Sequence, residues 1–364
     1  MARSRIRSVR GDVNARRRTA LIAAIVFVVA SVLVIGRLER SPAGRKATAS
    51  TRDSTLPPST VSSTTRRSPT TRVPTTTAPT TTTTTTTIAP VPSGPPWSVR
   101  QATFELYDPT RASPARGTSP AHSGRVLRTT VRWPVAQNGH VASRRLPLVV
   151  FAHGYDVSSG TYSLMLDDLT RAGLIVAAPE FPGESTAYPG PAVESDLVNE
   201  PCDMEFVAAS LERHPPAALR RVLPHAPLIV AGHSDGATAA AWAGYASTCS
   251  TVPIRAVVAL SPDDVPMTGA FRFGKPAPLL AMTGTADEIN PLAHTLALYG
   301  HVLAPAWLVT VDGGSHLGTF TTDPDLARVD AMIADFVFMI ADHDAGAGRR
   351  FEQTAGGRIQ LQSR

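Results

Sequence analysis

The part of this sequence that can fold lacks an excess of basic residues, although the whole chain has a net charge of +6. The surplus comes from residues 1–18 and 37–96, whereas residues 97–364 contain 20 basic and 26 acidic side chains. Nucleic-acid binding requires a basic face on the folded domain. The acidic balance of residues 97–364 therefore disfavours a nucleic-acid-binding protein.

Cysteine is also scarce, since Cys202 and Cys249 are the two in the chain. Neither lies in a pattern typical of a catalytic or metal-binding cysteine. We expect Cys202 to begin a helix at one end of the sheet and Cys249 to follow the far end of another helix, about 15–18 Å away. Because Cα atoms more than about 7 Å apart cannot be bridged without movement, this geometry argues against a disulfide bond.

Charge is absent from residues 20–36, an apolar run with a single hydroxyl group. As a helix it would rise about 26 Å, which spans a membrane if Arg18 and Arg37 extend to the two interfaces. A cleavable signal peptide is the competing interpretation, but the run is long and no small-x-small site follows Gly36. We predict a signal anchor with a basic cytoplasmic tail, residues 1–19, and the remaining chain outside the cell membrane.

Large apolar side chains are almost missing from residues 37–96, which are rich in Ser, Thr and Pro and include an unbroken threonine run over residues 80–87. Such a segment cannot bury enough surface to offset its ordering entropy, so we predict a disordered stalk. O-glycosylation and an unmodified linker both fit this composition. Contact with the cell envelope is a further expectation for the stalk.

Alternating strand and helix patterns begin at Trp97 and predict one α/β domain over residues 97–344. Its sheet should be mostly parallel with helices on both faces, because the apolar runs are short and continuous. Residues 345–364 are glycine-rich and basic, and we expect a flexible tail. The expected strands are 103–107, 126–133, 146–154, 174–181, 228–232, 255–260, 278–284 and 306–313, and the expected helices are 162–172, 202–213, 236–246 and 326–341.

Ser234 lies in the pentapeptide Gly232-His-Ser-Asp-Gly236, between a strong strand pattern and a helix pattern. The pentapeptide alone is weak, but strand, G-x-S-x-G and helix together indicate a nucleophile on a sharp turn. The glycines permit the turn, and the helix start favours negative charge beside the serine. We therefore predict Ser234 as a catalytic nucleophile.

A serine nucleophile needs a histidine base that a carboxylate orients. Asp287 follows the expected strand 278–284, and His316 follows the strand 306–313. The order Ser, Asp, His, with each residue just beyond a strand end, is the order typical of hydrolases of this architecture. We predict a catalytic triad of Ser234, Asp287 and His316.

Other side chains compete for these roles. Asp263 and Asp264 follow an earlier strand and are alternatives for the acid, whereas Glu288 should point elsewhere. His294 and His301 are expected in or near a helix, and His233 is too close along the chain to act on Ser234 as a base.

An oxyanion hole should combine the backbone N–H of Asp235 with one from the loop after strand 146–154. The second donor is predicted to be the N–H of Tyr155, and His153 is expected to brace that loop. Because a carboxylate near an oxyanion would oppose its charge, the side chain of Asp235 must point away from the site.

The chain resembles the α/β-hydrolase superfamily, and within it the group of chlorophyllases, cutinase-like bacterial lipases and platelet-activating-factor acetylhydrolases. The resemblance covers about residues 100–340 and is carried by LYDPTR, by VVFAHGYDVSSGTYSLMLDDLTRAGLIVAAPEFPG, and by NEPCDMEFV, AGHSDGA, TGTADEINP and GGSHLG. It implies an ester-hydrolysing serine enzyme that needs no cofactor.

The short polar loop 181–201 is expected to wall one side of an open cleft for short or medium acyl esters or lipids. Two other functions stay open: a catalytically weak binding protein at the cell surface that keeps the fold, and an acyl-transferring or peptide-hydrolysing enzyme.

Overall fold

The computed structural model describes residues 97–364 except 137–138, 142–145, 247–248, 250–251 and 265–276. The predicted cytoplasmic tail, membrane segment and stalk lie outside the described residues. Within those residues, no helix is long and apolar enough to cross a membrane.

Nine strands form a single sheet in the described part of the chain, in the order β1-β2-β4-β3-β5-β6-β7-β8-β9. Strands β3 to β8 pair in parallel, and antiparallel pairs join β1 to β2, β2 to β4 and β8 to β9. The strands are β1 Ser98–Asp108, β2 Arg125–Val135, β3 Leu148–Ala152, β4 Ile175–Glu180, β5 Leu228–His233, β6 Ile254–Leu260, β7 Leu279–Gly284, β8 Ala306–Val311 and β9 Ile359–Ser363.

Helices cover both faces of this sheet. The α-helices are α1 Ser163–Ala172, α2 Glu200–Arg213, α3 Asp235–Tyr245, α4 Leu292–His301, α5 Leu326–Ala341 and α6 Ala345–Thr354. Short 3₁₀ helices occupy Ser159–Tyr162, Glu194–Asn199, Ala217–Leu219 and Gly318–Phe320. The predicted α/β class with a mostly parallel sheet is confirmed.

The core consists of two apolar layers, one on each face of the sheet. In β3, Leu148 and Val150 belong to the layer with α2, α3 and α4, whereas Val149 and Phe151 belong to the layer with α1, α5 and α6. Successive strand residues point to opposite faces. Every residue of β3 and β5 is therefore buried, which accounts for their uninterrupted apolar sequences.

The C-terminal residues correct one prediction, because 345–364 is not a flexible tail. Residues of this segment form α6, which Asp344 caps by accepting a hydrogen bond from the Gly346 N–H at 2.7 Å, and β9, which pairs along β8. Phe351 and Ile359 are fully buried in the core. Because glycine and arginine dominate the composition, these two apolar anchors are inconspicuous in the sequence.

The cysteines correct a second expectation, because Cys202 and Cys249 form a disulfide bond with Cα atoms 5.4 Å apart. Helix α3 ends at Tyr245. The sequence argument counted only the helical rise and neglected the segment 246–249, which can reach about 13 Å when extended. That reach is comparable with the separation that was expected to keep the cysteines apart.

Replacing both cysteines by serine is expected to lower the free energy of unfolding by about 2–4 kcal/mol, because the bond closes a loop of 47 residues in the unfolded chain. Urea unfolding with and without a reductant measures this loss. Reductant should lower the midpoint of the wild-type protein and leave the double variant unchanged. If the reductant does not change the urea midpoint of the wild-type protein, the disulfide bond does not stabilise the fold.

Candidate active site

Ser234 occupies a strained turn between β5 and α3, with φ 58° and ψ −124°. Two glycines make the turn possible. A Cβ on Gly232 would lie 2.1 Å from the Gly236 carbonyl oxygen, and a Cβ on Gly236 would lie 2.3 Å from the carbonyl oxygen of Ala152 in the adjacent strand. Only glycine allows these backbones to approach so closely. The turn leaves Ser234 partly exposed at the carboxyl end of the central strand.

Asp287 and His316 lie together on the loops after β7 and β8. The Nδ1 atom of His316 is 2.9 Å from Oδ2 of Asp287, and the carboxylate is fully buried. The other oxygen, Oδ1, accepts the backbone N–H groups of Ile289 at 3.0 Å and Asn290 at 2.8 Å. The carboxylate is therefore fixed by its own loop while it faces the imidazole.

The protonation of this pair follows from its contacts. Burial alone would raise the pKa of Asp287, but the hydrogen bond and charge of His316 and the N–H of Asn290 outweigh burial and hold that pKa below its ordinary value. An ionised carboxylate only accepts hydrogen bonds. Nδ1 of His316 therefore carries the proton, and Nε2 is the nitrogen that can take one from another group.

The loop of His316 also contacts the turn that carries Ser234. His233, directly before the serine, places its Nε2 3.0 Å from the His316 carbonyl oxygen, and the two rings are 4.5 Å apart. Ser234, Asp287 and His316 thus lie at the carboxyl ends of β5, β7 and β8, on loops that touch one another.

The competing side chains face elsewhere. Asp263 lies 3.4 Å from Nδ1 of His294, on helix α4, and Asp264 is exposed. Glu288 accepts the backbone N–H of His316 at 3.2 Å, so it braces the loop rather than the ring. Asp287 is accordingly the carboxylate that meets the imidazole of His316.

The loop after β3 lies directly against Ser234. A Cβ on Gly154 would be 3.1 Å from the Ser234 Cβ, so Tyr155 follows at the edge of the site. His153 is fully buried, and its Nδ1–H donates to the Gly154 carbonyl at 2.8 Å while Nε2 accepts the Phe181 N–H at 3.2 Å. Burial lowers the pKa of His153. These contacts match the bracing role expected for this histidine.

The loop 181–199 packs against the loop after β3. The Tyr155 hydroxyl donates to the Ala192 carbonyl at 3.3 Å, and the Thr186 N–H donates to the Val157 carbonyl at 3.0 Å. Glu180 accepts hydrogen bonds from the hydroxyls of Ser159 and Ser185, one from each loop. The loop is therefore tied down beside Ser234 by hydrogen bonds.

Asp235, the first residue of α3, is buried in an acidic surrounding that the sequence did not indicate. Glu184 and Glu200 are fully buried nearby. Burial, and then the negative charge of Asp235, raises the pKa of Glu184 to about 9, and burial and the neighbouring carboxylates raise the pKa of Glu200 well above its ordinary value. Glu184 is therefore protonated at neutral pH, which limits the negative charge around Asp235.

The Glu184→Gln variant tests this protonation through stability. The unfolded chain releases the proton of Glu184 near pH 4.3, whereas the folded protein keeps it until about pH 9. The folded state binds more protons in this window, so the free energy of unfolding should fall as pH rises from about 5 to 9.

Urea midpoints at pH 5, 7 and 9 should fall less steeply in Glu184→Gln than in the wild type. Glu105→Gln, on the exposed side of β1, is the matched control and should keep the wild-type slope. Equal slopes in Glu184→Gln and the wild type would show that Glu184 is already ionised in the folded protein.

A metal site is not visible among the described residues, where no group of three or more His, Cys, Asp or Glu side chains could hold an ion. The arrangement of the site is typical of one class of fold. A serine lies on a strand-to-helix turn, and an aspartate and a histidine follow at later strand ends of a mostly parallel sheet.

The family model described as alpha/beta hydrolase family matches residues 149–362, and the chain belongs to this family. The match runs from β3 into β9, so it includes the C-terminal segment that was expected to be a tail. Members of the family are generally hydrolytic enzymes. No curated protein shows significant similarity to the chain.

Proposed function

We propose that the protein is a serine hydrolase that cleaves carboxylic esters. The observation that carries this proposal is the 2.9 Å contact of the buried Asp287 with His316, whose loop touches the turn of Ser234. A buried carboxylate that fixes the tautomer of a histidine is what serine activation requires. The lowered pKa of Asp287 supports the same assignment.

In this mechanism Ser234 Oγ attacks the ester carbonyl while Nε2 of His316 takes the hydroxyl proton. Asp287 stabilises the imidazolium, and the backbone N–H groups of Tyr155 and Asp235 hold the oxyanion. The imidazolium then protonates the leaving alcohol, and an acyl-Ser234 ester remains. Water attacks this ester with His316 as base, which releases the acid and restores Ser234.

The substrate class follows from the loop beside Ser234. Because the loop 181–199 is short, polar and tied to Tyr155 and Val157, it supports an open cleft rather than one under a large mobile apolar lid. We propose short or medium acyl esters or lipids as substrates, within the group that includes chlorophyllases, cutinase-like lipases and platelet-activating-factor acetylhydrolases.

Membrane anchoring is part of this proposal and rests on the apolar segment 20–36 and the arginines before it. The domain would then face the outside, where a bond such as Cys202–Cys249 persists. The anchored enzyme would act on small-molecule or lipid esters near the membrane surface.

The buried Asp235 favours a second candidate, a catalytically weak binding protein. A negative charge next to the oxyanion position would slow ester attack. Labelling with a fluorophosphonate separates the two candidates, because only an activated serine reacts at a useful rate.

The experiment uses the full chain in detergent or vesicles. Wild-type protein should label and should hydrolyse p-nitrophenyl acetate and butyrate, whereas Ser234→Ala should do neither. The exposed Ser195→Ala is the matched control and should label normally. A wild-type chain that fails to label would leave the binding protein as the better description, and ester formation with an added alcohol would indicate acyl transfer.

A further inference from the structure

His233, the second residue of Gly-His-Ser-Asp-Gly, uses both ring nitrogens although it is completely enclosed. Nε2 lies 3.0 Å from the carbonyl oxygen of His316, and Nδ1 lies 2.8 Å from the hydroxyl of Tyr162. A carbonyl only accepts hydrogen bonds, so Nε2 carries the proton and Nδ1 accepts the Tyr162 O–H. The two contacts assign the tautomer of His233.

Tyr162 extends this contact to a third loop. Its hydroxyl oxygen accepts the backbone N–H of Gly154 at 3.3 Å, and its ring packs edge-on against Phe151 with centroids 5.0 Å apart. A continuous series of hydrogen bonds therefore runs from the Gly154 N–H through Tyr162 and His233 to the His316 carbonyl. It joins the loops after β3 and β8 to the end of β5.

The surroundings of His233 favour its neutral form. Burial lowers its pKa well below the ordinary value, and a positive charge on the nearby His316 lowers it further, against the raising effects of the His316 carbonyl and Asp287. The rings of Tyr162, His316 and Phe320 lie against it. A neutral ring with one proton can bridge a hydroxyl donor and a carbonyl acceptor, whereas an imidazolium would offer a second donor to the Tyr162 hydroxyl.

We propose that His233 is a positioning residue that holds the loop of His316 and, through Tyr162, the loop of Gly154 in a fixed arrangement around Ser234. This inference rests on the proposed function. The His316 carbonyl belongs to the residue whose imidazole must meet the serine, and Gly154 precedes the proposed oxyanion donor Tyr155. The side chain of His233 thus helps to position both the imidazole of His316, which accepts the proton, and the N–H of Tyr155, which binds the oxyanion.

Tyr162→Phe is the first test, because it removes one hydroxyl and keeps the buried ring. We expect kcat for p-nitrophenyl butyrate to fall about ten- to a hundredfold, since small displacements of catalytic groups cost this much, with KM changed less than about twofold. Tyr245→Phe is the matched control, because it also loses a buried hydroxyl, one that donates to the Ala277 carbonyl at 3.0 Å. It should lower the urea midpoint by a similar amount without lowering kcat.

A double-mutant cycle then tests the connection through His233. His233→Phe removes the acceptor for the Tyr162 hydroxyl together with the donor for the His316 carbonyl, so both substitutions remove the link between Tyr162 and His233. The double variant should be hardly slower than the slower single variant. If the double variant instead loses kcat by the product of the two single losses, the proposed connection is wrong.

Backbone amide spectra of the full chain supply a readout that does not need activity. Tyr162→Phe should shift the amide of Gly154 and also that of Leu317, whose nitrogen shares a peptide group with the His316 carbonyl. A shift of Gly154 without one of Leu317 would refute the proposal. If the wild-type chain neither labels nor hydrolyses esters, the proposed function fails, and the Leu317 amide still decides whether His233 links the loops.

Discussion

Replacing Asp287 by asparagine is expected to lower kcat for ester hydrolysis by about ten-thousand-fold. The amide would present an N–H donor or a weaker acceptor where Oδ2 now accepts the proton of His316 Nδ1 at 2.9 Å. The imidazole would then favour the tautomer with its proton on Nε2, which cannot accept the proton of Ser234. The carbonyl oxygen of asparagine can still accept the N–H groups of Ile289 and Asn290, so the loop should keep its shape.

Asp263→Asn is the matched control, because Asp263 was the competing acid in the sequence and lies 3.4 Å from His294 instead. Its kcat should stay within about twofold of the wild type. Thermal unfolding of both variants checks that the domain is intact. If Asp263→Asn loses activity and Asp287→Asn keeps it, the acid has been assigned to the wrong strand end.

Replacing Arg125 by methionine is expected to lower the free energy of unfolding by about 3–5 kcal/mol. Arg125 is fully buried, and its five N–H groups donate to the carboxylates of Asp196 and Asp203 and to the Ala112 carbonyl at 2.7–3.0 Å. Methionine fills similar space without a charge. Asp196 and Asp203 would stay buried. Among the arginines that the structure describes, Arg111 would still contact Asp203, at 2.6 Å.

The loss should depend on pH. Burial already raises the pKa of Asp203 against the lowering effects of Arg125 and Arg111, so removal of Arg125 should raise it further above the value of about 3.9 in the unfolded chain. The unfolded chain would then release protons that the folded variant keeps, so the variant should lose stability as pH rises. Urea unfolding at pH 5 and pH 8 measures this, and the larger loss is expected at pH 8.

Arg171→Gln is the control for Arg125→Met. Arg171 also forms ion pairs, with Asp167 and Asp168, but its side chain is half exposed to solvent. Its replacement should change the free energy of unfolding by less than about 1 kcal/mol. If both variants lose a similar free energy of unfolding, burial does not strengthen the contacts of Arg125.

The sequence predicted the parallel sheet and the approximate bounds of its strands, because each strand was recognised from a short local pattern of apolar residues. Helix α5 has the predicted bounds, and β5 and β7 lie within one residue of the predicted strands. Asp287 and His316 were found from their places just after strands, and the structure brings them together.

Contacts between distant segments were not predictable in the same way. The acidic surrounding of Asp235 includes Glu184, which is fully buried although it belongs to a loop that was predicted only as short and polar. Tyr162 gives no local sign that its hydroxyl meets His233, 71 residues later. The disulfide bond likewise depends on the path of the chain after α3 rather than on any pattern around the cysteines.

Strand β9 affects how the chain behaves while it is being synthesised. It pairs with the outer edge of β8 and follows all the other strands of the sheet along the chain. Until residues 359–363 have been made, β8 presents unpaired backbone groups that can recruit strands from other chains. Emerging chains would therefore expose this edge until residues 359–363 appear, and a nonsense mutation upstream of β9 would leave the edge permanently open.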